Sequence, residues 1–307
     1  MKRCIAILLV LGAVSAAAQQ PGKPRPRRGA PAARTKAAAP SGPAGWLAKS
    51  EVESRRGDDR AAIASVTQAL QLAPNSTELL YRYAHLAMRL GSPAEAVRAM
   101  SAATRIESDY PDYLYLLGVA QLWVGDTDAA TVPLRRAAEL DPKRLQAHLG
   151  HAYALHALKR YDEALKALDK ALAIDATNNE AQYLVADIAQ LRGDQETALS
   201  MAQRVLARDP RHAGANLVRG MVLAQRGDYR GARAALETSV AADPKYPRTH
   251  YQLSRVYAQL GENERAAAER AAFDRTTREM NDQQREARRL LDLATTEPAK
   301  PQAKPKK

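Results

Sequence analysis

The chain has 307 residues, 26% charged and 46% hydrophobic, with a formal net charge of +12 and one cysteine, Cys4, so no disulfide framework can form within it. Two basic residues stand at Lys2 and Arg3, six lie between positions 23 and 36, and four between 300 and 307, with no acid among them. These account for the whole surplus; residues 46–297 carry 34 bases and 34 acids, so the basic groove of a nucleic-acid binder is not implied for the body of the protein, and no nucleic-acid partner is expected.

In chain order the first element is a leader. Lys2 and Arg3 precede an apolar run from Ile5 to Val14, and Ala16, Ala17 and Ala18 offer the small-residue pattern cut by signal peptidase. Residues 1–18 are therefore predicted to be a signal peptide, since ten apolar residues fall short of the roughly 20 that span a bilayer. Cys4 precedes the run, where a lipoprotein's acceptor cysteine would follow it. The expected location is exported and periplasmic, with secretion or peripheral attachment to the envelope as alternatives. Residues 19–42 are rich in Pro, Ala, Arg and Lys and cannot bury enough surface to offset their ordering entropy; a disordered linker is predicted.

From residue 43 the chain is punctuated at one interval. Gly57, Gly91, Gly125, Gly193, Gly227 and Gly261 are separated by 34 or 68 residues, and Lys159 fills the skipped slot. Five residues after each slot stands an alanine: Ala62, Ala96, Ala130, Ala164, Ala198, Ala232 and Ala266. Ser50, Ala84, Gly118, Ala152, Ala186, Gly220 and Ser254 keep a small-residue track, and Pro74, Pro142, Pro210 and Pro244 keep a fourth. Each track has a physical reading. The glycine takes the left-handed conformation that ends a first helix. Asp58, Asp126, Asp194 and Asp228 follow it as candidate caps of a second helix. The small residues mark close helix crossings, and the prolines stop the second helix. Between stops the apolar spacing is helical, as in Leu114, Leu117, Val119 and Leu122.

This pattern resembles the tetratricopeptide repeat, a 34-residue helix–turn–helix unit. Seven units beginning at 43, 77, 111, 145, 179, 213 and 247 cover residues 43–280; the third is the clearest, with Leu114, Leu117, Gly118, Gly125, Ala130, Leu134, Ala137 and Pro142 in place. The fourth unit lacks the glycine and proline, and the seventh has Arg278 where proline is expected. The fold implied is all-α, a right-handed α-solenoid with a C-terminal capping helix. No Gly or Pro interrupts the chain between Gly261 and Pro298, so the last second helix is expected to run into a capping helix over 281–297. Met280, Ala287, Leu291 and Ala294 are spaced to cover the open end of the stack. Residues 298–307 form a basic tail predicted to be disordered, and both tails could associate weakly with anionic envelope components.

The chemistry motifs are missing: there is no His-Glu-x-x-His, glycine-rich phosphate loop or Gly-x-Ser-x-Gly. His148, His151 and His156 share one predicted helix, but His156 lies on the other side from His151, so a metal would lack a third ligand. The expectation is no enzyme, no cofactor and no metal, with a metal-dependent hydrolase as the least supported alternative. By resemblance, the fifth, ninth, twelfth and thirteenth slots of each unit face a concave wall. That implies a partner-binding groove of Tyr81, His85, Met88, Tyr115, Val119, Trp123, Tyr153, His156, Tyr183 and Asp187. Aromatic side chains with polar tips suit capture of a peptide or helix. No lysine occupies the fifth slots, so the clamp by which some relatives hold a C-terminal carboxylate is not implied. The function expected is an interaction scaffold or assembly factor of the cell envelope; the alternative is a spacer tethered to envelope polymer or lipid by its basic tails.

Overall fold

The computed structural model describes residues 40–296, with side chains as far as residue 290. The leader, the basic tail and all but the end of the linker lie outside the described residues. Fourteen helices occupy the described span, with no strand among them. The first helices of the seven units are α1 (Gly42–Arg55), α3 (Thr77–Arg89), α5 (Pro111–Trp123), α7 (Leu145–Ala157), α9 (Asn179–Arg192), α11 (Ala213–Gln225) and α13 (Pro247–Gln259). The second helices are α2 (Asp59–Leu72), α4 (Pro93–Ile106), α6 (Thr127–Leu140), α8 (Tyr161–Ile174), α10 (Gln195–Arg208), α12 (Tyr229–Ala242) and α14 (Asn263–Thr296).

The turns form where the sequence places them. All six register glycines have positive φ, and Lys159 adopts the same left-handed conformation at φ 61° in the slot without glycine. Asp58, Asp194 and Asp228 accept the backbone N–H of Ala61, Thr197 and Gly231, capping α2, α10 and α12. Asp126 stands at the cap position of α6, but its side chain makes no capping bond. The small-residue track is buried in every unit. At Gly118 a Cβ would lie 2.4 Å from Leu134 Cγ, and at Gly220 2.6 Å from Leu236 Cγ, so these two crossings leave no room for a side chain, whereas Ala152 is accommodated opposite Leu168 in unit four.

Each helix packs on its predecessor and successor, and successive first helices also meet one another, most closely α9 and α11. Successive second helices do not approach one another so closely, which puts the row of first helices on the inner, concave side. The apolar core runs along the stack from Val66 through Met100, Leu134, Leu168 and Ile188 to Leu236 and Leu253.

The C-terminal helix departs from the expected cap. There is no break at residue 281; α14 is one helix of 34 residues, about 51 Å long at 1.5 Å per residue. Its first half covers α13, with His250 Nδ1 2.5 Å from Glu269 Oε2 and the rings of Tyr251 and Phe273 5.5 Å apart. Its outer half reaches back to α4. Gln284 lies against Gly125, and Ala287 packs on the core cluster of units two and three rather than over the open end of unit seven. The residues that unit seven would leave uncovered are already served by the first half of α14, so the extension finds apolar surface elsewhere.

Candidate concave interface

Six of the ten predicted groove residues, Tyr81, His85, Trp123, Tyr153, His156 and Tyr183, are half-buried along the inner row. The other four do not present a surface. Tyr115 is 3% exposed and Asp187 0%, and Met88 and Val119 are equally enclosed. The reason is the close flank-to-flank contact of first helices, which seals these side chains between neighbouring units.

Around units two and three the wall is aromatic. Tyr81 meets His85 edge-on at 4.6 Å between ring centroids and leans toward Tyr113 at 5.4 Å. Burial, reinforced by Arg82, pushes the His85 imidazole down to about 4, so it is neutral near pH 7. The Arg144 guanidinium lies 4.4 Å over the Tyr115 ring and donates from Nη1 to Asp112 Oδ1 at 2.5 Å. The Trp123 indole N–H is buried and makes no hydrogen bond within the protein.

Farther along, charges rather than rings organise the wall. Asp187 accepts from Arg248 Nη1 at 2.6 Å and faces His156 Nε2 at 2.9 Å, while Arg248 Nη2 donates to Gln190 Oε1 at 3.1 Å. Arg248, in unit seven, thus reaches past unit six to join units four and five. Burial would raise the Asp187 pKa, but the bonds from His156 and Arg248 outweigh it and hold the carboxyl below its usual range. Asp187 and His156, expected to meet a partner, are therefore engaged with each other, and Asp187 with Arg248 as well.

Beside this junction Glu180 turns inward from the first turn of α9, its side chain 16% exposed. Its Oε1 has no hydrogen-bond partner in the protein, and burial pushes its pKa up to about 7. Tyr183 lies next to it, close against Gly214, where a Cβ would come within 2.4 Å of the ring. Glu180, Arg248, Asp112, Arg144 and His212 were not among the predicted wall residues. They occupy the second and thirty-fourth slots; acid followed 32 residues later by a basic side chain was the signal for Asp112 with Arg144 and Glu180 with His212, while nothing in the repeat pointed to Arg248.

The histidine set does not converge. His148 Nε2 is 3.0 Å from the Pro142 carbonyl, and among the described residues no three His, Cys, Asp or Glu side chains are grouped to hold a metal. No helix among them is long and apolar enough to cross a membrane.

A family profile described as tetratricopeptide repeat matches residues 55–120, 124–188 and 223–291, and a second of the same description matches 183–247. Among solved structures the chain is similar to a tetratricopeptide repeat protein from Parabacteroides merdae ATCC 43184. The identity is 18%, the TM-score 0.67, and the match covers 83% of this chain and 99% of that one. It is also similar to PilW, described as a widely conserved type IV pilus biogenesis factor, with 18% identity, a TM-score of 0.57, and 70% and 97% of the two chains covered. No protein of curated function matches the sequence.

Proposed function

The chain belongs to the tetratricopeptide-repeat family, and on that premise we propose that it is a non-enzymatic interaction scaffold that grips a partner segment in its concave trough. The observation that carries this reading is the row of half-buried, polar-tipped side chains on the inner helices: Tyr81, His85, Trp123, Tyr153 and Tyr183. Rings of this kind give large contact area at small entropic cost and still offer hydrogen bonds. Trp123 adds a half-buried indole ring to that row. The cell envelope is the proposed setting, on the leader pattern of residues 1–18.

The test is photo-crosslinking in living cells, with p-benzoylphenylalanine at Trp123 or Tyr153 on the inner row and at Leu72 or Val132 on exposed outer positions. Adducts are expected from the inner positions alone. Equal yields from both faces, or none from the inner one, would refute the trough as the binding surface. Fractionation checks the setting: the chain should leave the cytoplasm only with residues 1–18 present.

A further inference from the structure

The repeat register allows two corners of the trough to be compared side chain by side chain. In unit three the second, fifth and thirty-fourth slots hold Asp112, Tyr115 and Arg144, and they form a closed set. The guanidinium pairs with the acid at 2.5 Å and lies over the ring at 4.4 Å. In unit five the same slots hold Glu180, Tyr183 and His212. Here the imidazole ring sits 5.4 Å from the Tyr183 ring, so the arrangement is retained with a different base.

The imidazole does not do the arginine's work. Its Nδ1 accepts the Ala215 N–H at 3.1 Å, capping α11, which fixes the remaining hydrogen on Nε2 of a neutral ring. Burial favours that neutral form, with Asp209 opposing it in part. Nε2 is 3.9 Å from Glu180 Oε2, beyond hydrogen-bond reach. The neighbouring cations are committed elsewhere. Arg208 donates to Asn179 Oδ1 at 2.8 Å and to Gln182 Oε1 at 2.5 Å, and Arg248 is held by Asp187 and Gln190. Among the described residues, Glu180 is thus an inward-turned acid with no counter-ion and one oxygen with no donor. A glutamate in a first helical turn gains something from the helix dipole, but that gain is available to a side chain in water and does not explain why this one is turned in.

We propose that Glu180 receives an arginine side chain of the partner segment, supplying from outside the guanidinium that Arg144 supplies internally in unit three. The inference rests on the trough being the binding surface and adds what the partner must carry: a positive, fork-shaped donor opposite unit five. A guanidinium suits the site because its several N–H donors lie in one plane and can meet Oε2 and, once the carboxylate turns toward the trough, the enclosed Oε1 as well. The net charge of the trough plays no part; one uncompensated carboxylate sets the specificity.

The probe is a capped pentapeptide, Ala-Ala-Arg-Ala-Ala, added to the full chain and followed by the amide resonances of Glu180, Tyr183 and Ala215. Its control is the same peptide with citrulline, equal in shape but uncharged. The arginine peptide is expected to shift these three resonances saturably, in the millimolar range, and the citrulline peptide to do so at least about tenfold more weakly. Glu180→Gln, which keeps the side chain's shape, is expected to remove the difference, and Asp112→Asn, whose acid is already paired, to leave it unchanged. Equal shifts from both peptides, an undiminished response in Glu180→Gln, or no saturable shift up to about 20 mM would overturn the proposal. The outcomes separate from those of the crosslinking: inner-row adducts with no arginine response would keep the trough as the partner's site and discard the cation.

Discussion

Replacing Asp187 by Asn should loosen three units at once. The carboxylate is 1% exposed and holds Arg248 at 2.6 Å and His156 at 2.9 Å. Without its charge Arg248 keeps only the Gln190 carbonyl oxygen, at 3.1 Å, to compensate a guanidinium that is 24% exposed. Removing one member of a buried ion pair costs about 3–5 kcal/mol; allowing for the partial exposure of Arg248, the expected loss is about 3 kcal/mol. Arg248→Met leaves Asp187 buried with His156 alone and should cost about as much. The double variant removes both charges, so its loss should fall short of the sum by about 2 kcal/mol. The contribution also has a sign in pH. A carboxyl held below its usual value stabilises the fold above the unfolded-state pKa, near 3.8, and loses that contribution as pH falls through the depressed folded value, whereas Asp187→Asn is insensitive there. The measurement is urea unfolding at neutral pH followed by circular dichroism. Hydrogen exchange on α7, α9 and α13 would accompany it, because a repeat array need not unfold as one unit. Single losses that add to within about 0.5 kcal/mol would refute a coupling of the units through this junction.

Glu180 should titrate in the opposite sense. Burial raises its pKa from 4.5 to about 7, so the folded chain binds this proton more tightly than the unfolded one. The group's contribution is present below 4.5 and lost as pH rises through about 7. Glu180→Gln is therefore expected to be near neutral at pH 4.5 and stabilising by on the order of 2 kcal/mol at pH 8, after allowing for the 16% exposure; equal effects at both pH values would count against a buried, uncompensated acid. Lys159→Gly should stabilise the fourth unit by about 0.5–1 kcal/mol, because glycine accepts the left-handed turn that Lys159 adopts at φ 61°, and an unchanged melting temperature would contradict that. Ending the chain after Thr277 keeps the part of α14 that covers α13 and removes the part that reaches α4. Faster amide exchange is expected in α4 and in the turn at Gly125, and unaltered exchange there would show that the long contact carries no weight.

The repeat was legible because its determinants are local. A glycine that must take positive φ, an aspartate that caps the next turn and an alanine at a helix crossing each act within one helix pair, and the 34-residue interval repeats the alanine in all seven units, the glycine in six and the aspartate in four. The trough was only partly legible. Tyr81, His85, Trp123, Tyr153, His156 and Tyr183 could be placed on the inner row from their slots. Tyr115 and Asp187 share those slots and are sealed, because how far a slot opens depends on how tightly one first helix presses on the next.

The amino-acid order alone determined the helix pairs, their register and their sequential stacking, since turn geometry and helical periodicity are short-range properties. Tertiary structure decided what crosses units: that Arg248 spans unit six to reach Asp187, that Glu180 faces an imidazole too far away to pair with it, and that α14 runs on to Gly125 and the core of units two and three. Those contacts depend on the accumulated curvature of the stack. Small rotations between successive pairs add along the solenoid, and no single unit encodes their sum.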